Sequence, residues 1–258
     1  MCIRDRDTKA QGSATLKDAA FAIISLNENS VLVEGKLYKK NETVKTIQTG
    51  NDGIATTSAD LLPYGKYKLE ETKAPEGYLT DGAKAIEFSI TENGKIVDLT
   101  DESHSIYNQI KRGDLEGVKI GAGTHKRLAN VPFKITSKTT GESHIVVTDK
   151  NGQFSTASDW ASHKKNKNAG TSSEDGIWFG ISEPDDSKGA LLYDTYEIEE
   201  LSCESNKGMK LIPAFEVVVS RNKVTIDIGT LTDEYEKEIT IHTTATDKKT
   251  GEKVIVAG

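Results

Sequence analysis

The chain has 258 residues, with 33 Lys and Arg against 40 Asp and Glu for a formal net charge of −7. There is no cationic excess to neutralise phosphates, which argues against nucleic acid as a partner, and no apolar run approaches the ~20 residues of a membrane span. Cys2 and Cys203 define no disulfide framework, and His104, His125, His144, His163 and His242 are scattered without metal-ligand spacing, so no cofactor or metal is expected.

In chain order, the opening MCIRDR (residues 1–6) is charged and has no apolar stretch behind it, so it reads as a non-native leader rather than a signal peptide. Leu16, Ala19, Phe21 and Ile23 then mark a strand with period two. A turn follows at Asn51-Asp52-Gly53, where Asn and Gly accept positive φ. Next comes the alternating segment Leu62–Glu71, whose inward face carries Tyr67, Leu69 and, unexpectedly, Glu71. Ile86–Ile90, a turn at Glu92-Asn93-Gly94 and a last short strand at Ile106-Tyr107-Asn108 complete the pass.

The same plan then begins again. Leu128, Val131, Phe133 and Ile135 repeat the first strand, and Asp149-Lys150-Asn151-Gly152 repeats the turn. Leu192–Glu200 repeats the alternating segment, and Phe215–Val219, Arg221-Asn222-Lys223 and Leu231-Thr232-Asp233 repeat the close. Short period-two segments with turn signals every 8–15 residues, and no convincing amphipathic helix, predict an all-β chain of two immunoglobulin-like β-sandwiches in tandem. The predicted domains are 7–111, lacking its first strand, and 112–236. Residues 237–258 read as the start of a third β domain, cut off at Gly258.

The second copy carries a polar insert at about 156–190, holding Trp160, Trp178 and Phe179, which is expected to be an ordered excursion and the most individual surface of the chain. Arg112-Gly113-Asp114 spells an integrin-type tripeptide but reads as a glycine hinge between solvated charges. Asp-x-Asn-Gly is similar to the start of a calcium loop without its later acidic ligands, and no Ser-His-Asp arrangement stands out.

Tyr67-x-Leu69-x-Glu71 followed by Ala74-Pro75-x-Gly77-Tyr78, in this β context, resembles the E-box of CnaB-type (SpaA-like, prealbumin-like) domains of Gram-positive pilins and surface adhesins. The likeness spans residues 7–235, and Thr244–Glu252 is similar to the opening of a VaFE-type repeat. The resemblance implies an extracellular, cell-wall-anchored protein with neighbouring domains of the same protein as partners and possible host-matrix contacts. It also implies an intramolecular isopeptide bond rather than turnover.

That chemistry has physical requirements. A lysine amine attacks only when neutral, so it must be desolvated; a buried carboxyl must polarise the acceptor and move a proton to the leaving group. Contact between the two groups supplies the effective concentration that free amide formation lacks. Carried onto this chain, the second copy offers Lys119 as nucleophile and Glu200 as proton shuttle. By position in the last strand Asp233 is the acceptor, with Asp227 as the alternative. The first copy offers Glu71 and Asn108 but no lysine: counting back from Phe21 reaches Asp7 or about Ile3, and Lys9 falls in a turn. The implied role is a stalk or pilin module. A ligand-binding adhesin that uses the 156–190 insert is the alternative, and a glycosidase with paired carboxylates is disfavoured because the acids occupy matching points of two repeats.

Overall fold

A computed structural model describes residues 2–4, 12–80, 84–104, 106–123, 125–165 and 170–235. Among them every regular element is a β-strand apart from three three-residue 3-10 turns, as the sequence pattern predicts. No helix among the described residues is long and apolar enough to cross a membrane. The expected third domain, residues 237–258, lies outside the described residues.

The first unit comprises β1 (Cys2–Arg4), β2 (Ala20–Ser25), β3 (Val31–Val33), β4 (Lys36–Tyr38), β5 (Thr43–Gln48), β6 (Ile54–Thr56), β7 (Gly65–Lys73), β8 (Tyr78–Leu79), β9 (Ile86–Ile90), β10 (Asp98–Leu99) and β11 (Gln109–Ile110). Its larger sheet runs β5-β2-β7-β9 and its smaller one β10-β1-β6. The second unit comprises β12 (Arg112–Ile120), β13 (Pro132–Ser137), β14 (Ser143–Val147), β15 (Gln153–Ser155), β16 (Leu191–Leu192), β17 (Asp194–Glu200), β18 (Met209–Lys210), β19 (Phe215–Val219), β20 (Thr225–Thr232) and β21 (Glu234–Tyr235). It has two four-stranded sheets. One runs β14-β13-β17-β19; in the other β12 pairs with β15 and β16 and, in parallel, with β20.

The two units are one plan in detail. In the first, Phe21, Ile23 and Ser25 oppose Glu71, Leu69 and Tyr67; in the second, Phe133, Ile135 and Ser137 oppose Glu200, Ile198 and Tyr196. Alternation sends Phe21, Ile23, Tyr67 and Leu69 into one core and Phe133, Ile135, Tyr196 and Ile198 into another. Each buried tyrosine turns its hydroxyl back to the carbonyl four residues earlier, Tyr67 to Pro63 at 2.9 Å and Tyr196 to Leu192 at 3.0 Å, which satisfies the one polar atom an aromatic brings inside.

The Asp-Asn-Gly segments are turns, as their residue types require. Asp52 Oδ1 accepts the Ile54 amide at 3.0 Å, and Asp149 Oδ1 accepts those of Asn151 and Gln153 at 2.8 and 2.9 Å. Gly53 and Gly152 take φ of +71° and +69°, where a side chain is strained. These carboxylates are thus occupied by backbone.

Two expectations change. Arg112 and Asp114 are not solvated hinge charges; they are 4% and 8% exposed within β12. Arg112 stacks on Trp178, 3.8 Å from the ring centroid, and donates to the carbonyls of Phe179 and Ala190 at 2.8 and 3.1 Å. Asp114 accepts from Thr156 Oγ1 and the Ala190 amide, both at 2.9 Å. The tripeptide therefore fastens both ends of the 156–190 insert to the sandwich. The insert itself contributes core rather than surface aromatics: Trp178 and Phe179 are buried and only Trp160 is partly exposed.

Candidate functional site

β12 begins the second unit and the segment after β20 ends it. Because these strands run parallel and adjacent, residues 114 positions apart in sequence come together. Alternation along β12 turns Leu115, Gly117 and Lys119 inward and leaves Glu116 exposed. Gly117 is required by close approach: a Cβ there would lie 2.8 Å from Ile228 Cγ1 and 3.1 Å from the Phe154 ring, which stacks on Phe133 at 4.9 Å between centroids. This apolar wall surrounds the lysine.

Lys119, Glu200 and Asp233 meet inside it with fully buried side chains. Lys119 Nζ lies 2.9 Å from Glu200 Oε2 and donates to Asp233 Oδ1. Glu200 is held by a second set of contacts. Asn206 Nδ2 donates to its Oε1 at 2.9 Å and the Ile212 amide to its Oε2 at 3.3 Å. Asn206 is in turn fixed by accepting the Cys203 amide at 2.7 Å. Sequence reasoning missed Asn206; its signal is a buried amide six residues past the motif acid. Cys203 packs against the core edge, as expected of a small apolar residue.

Burial pushes the Asp233 carboxyl up to about 6, with the Lys119 hydrogen bond opposing and the neighbouring Glu200 reinforcing that shift. Its Oδ2 is buried without a hydrogen bond among the described residues, a costly state for a carboxylate oxygen. The geometry thus places an amine in contact with a carboxyl whose hold on a proton is strengthened by burial, beside a second carboxyl. Asp227 is elsewhere: it is exposed and, among the described residues, accepts only the Gly229 amide at 2.8 Å.

In the first unit Asn108 Nδ2 donates to Glu71 Oε1 at 2.8 Å. Burial raises the Glu71 carboxyl above its ordinary value, against the opposing Asn108 bond, and its Oε2 is buried without a hydrogen bond among the described residues. Asn108 precedes β11 as Asp233 precedes β21, and these short strands pair with β8 and β18 in matching register. The lysine strand is matched by β1. Arg4 opposes Ile54 as Val118 opposes Gln153, so the position after it, residue 5, corresponds to Lys119. Residue 5 is an aspartate, outside the described residues, as is Lys9.

Among the described residues no three of His, Cys, Asp and Glu are grouped to hold an ion; His242 lies outside them.

Residues 5–103 match the SpaA prealbumin-like fold domain. No curated protein matches the chain. Among solved structures, the Bacillus anthracis TIE protein resembles it at a TM-score of 0.51 and 20% identity, over 90% of this chain and 34% of that one. The chain therefore spans about a third of that protein. The GBS52 minor pilin of Streptococcus agalactiae aligns at a TM-score of 0.35 and 16% identity, over 94% of this chain and 98% of that one. A C-terminal fragment of the pilus adhesin SpaC from Lactobacillus rhamnosus GG aligns at 0.43 and 14%, over 93% and 99%. The likeness to the TIE protein is of fold alone.

Proposed function

We propose that this chain is a structural stalk or pilin-type module of a Gram-positive cell-wall surface protein, and that its second unit closes itself with an amide between Lys119 and Asp233. The observation that carries the reading is the fully buried contact of Lys119 Nζ with both Asp233 and Glu200. A structural pair alone is a poor use of such a site, because burying three ionisable groups costs more than well-packed apolar residues would.

The step balances. The neutral Lys119 amine attacks the side-chain carbonyl carbon of protonated Asp233, forming the C–N bond. A proton from nitrogen passes through Glu200 to the departing oxygen, and one water leaves. Glu200 ends as it began, so there is a single turnover and no second substrate. Asn206 and the Ile212 amide hold the Glu200 carboxyl in line, which makes them positioning groups. The bond would tie the first strand of the unit to the segment after its last, doing the work of a disulfide in a unit whose single cysteine, Cys203, is free.

The first unit is read as the same sandwich without the cross-link, since Glu71 and Asn108 meet but residue 5 supplies no amine. Neighbouring domains of the same surface protein are the proposed partners, and the proposed location is extracellular. The adhesin reading is weaker because the insert spends Trp178 and Phe179 on the core. Peptide mapping tests the proposal: proteolysis should release a branched peptide joining the segments that hold Lys119 and Asp233, whereas two separate linear peptides would refute it.

A further inference from the structure

The segment Ala74-Pro75-Glu76-Gly77-Tyr78 follows Glu71 in the motif but takes no part in the amide chemistry. Its contacts lie at the junction of the two units. β11 ends at Ile110 and β12 begins at Arg112, so a single residue, Lys111, joins them. Both of its main-chain groups are engaged. Its amide donates to Gly77 O at 2.8 Å, in the first unit, and its carbonyl accepts the Tyr193 amide of the second at 2.9 Å.

Tyr193, half-buried between β16 and β17, engages the first unit with its other polar groups as well. Its carbonyl accepts the Ser13 amide at 3.0 Å and the Ser13 hydroxyl at 3.3 Å. Its own hydroxyl donates to Glu76 Oε1 at 2.9 Å. Partial burial, reinforced by the Glu76 carboxylate, raises that hydroxyl above its ordinary value and keeps it a donor. The Lys111 ammonium lies 6.0 Å from the centre of the ring.

The fit is steric as well as polar. A Cβ on Gly77 would lie 2.6 Å from Ala14 Cβ and 3.0 Å from Tyr193 Cδ1, and one on Gly12 would lie 2.4 Å from Tyr193 O. Both glycines take positive φ, +91° and +58°, so close approach and backbone conformation each exclude a side chain. Tyr78, paired with Ile110, holds the other side of Gly77 in place.

Relative motion is the ordinary state of domains in series. Here a bend at Lys111 has to break main-chain hydrogen bonds to both units together with the contacts of Tyr193.

We propose that Glu76, Gly77 and Ser13 form a socket, that Tyr193 is the peg it holds, and that the two units therefore move as one body. The socket's partner is the tyrosine that leads into the long strand of the following unit, recognised through its hydroxyl, its ring edge and its main chain. The motif thus carries two roles: Glu71 faces its own core, and the residues after it seat the next unit. The joint holds whether or not Lys119 and Asp233 become linked.

The test is residual dipolar couplings of the backbone amides, measured on the full chain in a dilute aligning medium. One alignment tensor should fit both units together. Tyr193→Ala should abolish that common fit, leaving each unit a tensor of its own, and should speed exchange of the Ser13 amide by about tenfold or more. Slow exchange at Phe21, Ile23, Phe133 and Ile135 in the variant shows that both sandwiches stay folded. Tyr64 stands one residue past the carbonyl that accepts the Tyr67 hydroxyl, as Tyr193 stands one past Leu192, and it is 77% exposed. Tyr64→Ala should leave the common fit intact. Two tensors in the unaltered chain would overturn the proposal. So would a common fit that survives Tyr193→Ala, or one lost equally in Tyr64→Ala.

Discussion

Glu71 and Glu200 stand at the same point of two copies of one strand pairing, Glu71 opposite Phe21 and Glu200 opposite Phe133, yet among the described residues only Glu200 faces a lysine. Each is turned inward by the same alternation that buries its neighbouring tyrosine. Their surroundings then separate them: Glu71 meets an asparagine, and Glu200 meets Lys119 beside Asp233.

Replacing Lys119 with Met removes the nucleophile and the cross-link together. A covalent tie across 114 residues is worth about 4–5 kcal/mol by loop-closure entropy. Thermal unfolding of the second unit should therefore move down by roughly 10–20 °C. A shift below about 3 °C would argue that no such tie existed.

Asp233→Asn tests the acceptor. The amide can still be attacked, now expelling ammonia, so the variant should lose ~17 Da rather than ~18 Da and remain as heat-stable as the parent. Asp227→Ala should leave both mass loss and stability unchanged within about 0.5 kcal/mol, because that carboxylate only caps a turn. Loss of the cross-link on changing Asp227 would transfer the acceptor role to it.

The insert should behave as part of the core. Trp178→Ala removes a buried ring and the surface on which Arg112 stacks, for an expected cost of about 3–5 kcal/mol in denaturant unfolding of the second unit. Trp160→Ala should cost under about 1 kcal/mol. Equal small effects would show that the insert does not depend on its buried aromatic.

Glu71 gives a pH dependence. Its folded carboxyl holds a proton to higher pH than the unfolded chain does, so the stability it contributes is complete below about 4.5 and is lost as pH rises through the raised folded value. Glu71→Gln removes that loss. Relative to the parent, the variant should gain stability in the first unit between pH 4 and pH 8, followed by exchange at the Phe21 and Ile23 amides. A constant difference across that range would contradict the shift.

The fold was legible because period-two patterning and turn residues are local signals, and because the chain states its plan twice. The carboxyl–lysine pairing was legible for the same reason: Glu200 and Asp233 are found by laying one copy on the other. Asp233 was preferred to Asp227 because it matches Asn108 in the last strand of the first copy, and the parallel register of β20 on β12 brings it to Lys119. Arg112 and Asp114 were misread because their partners, Trp178, Thr156 and Ala190, lie 42 to 78 residues away in an insert without a counterpart in the first copy. The missing lysine was found by counting, but counting gave residue 7 or 3, whereas strand register points to residue 5, because the loop lengths of the two copies differ.

The central claim is decided by intact mass under denaturing conditions. The account predicts a chain ~18 Da lighter than its sequence requires, with the full mass restored in Glu200→Ala, where Lys119 and Asp233 are still present but the proton shuttle is gone. A parent chain at its full sequence mass would contradict it.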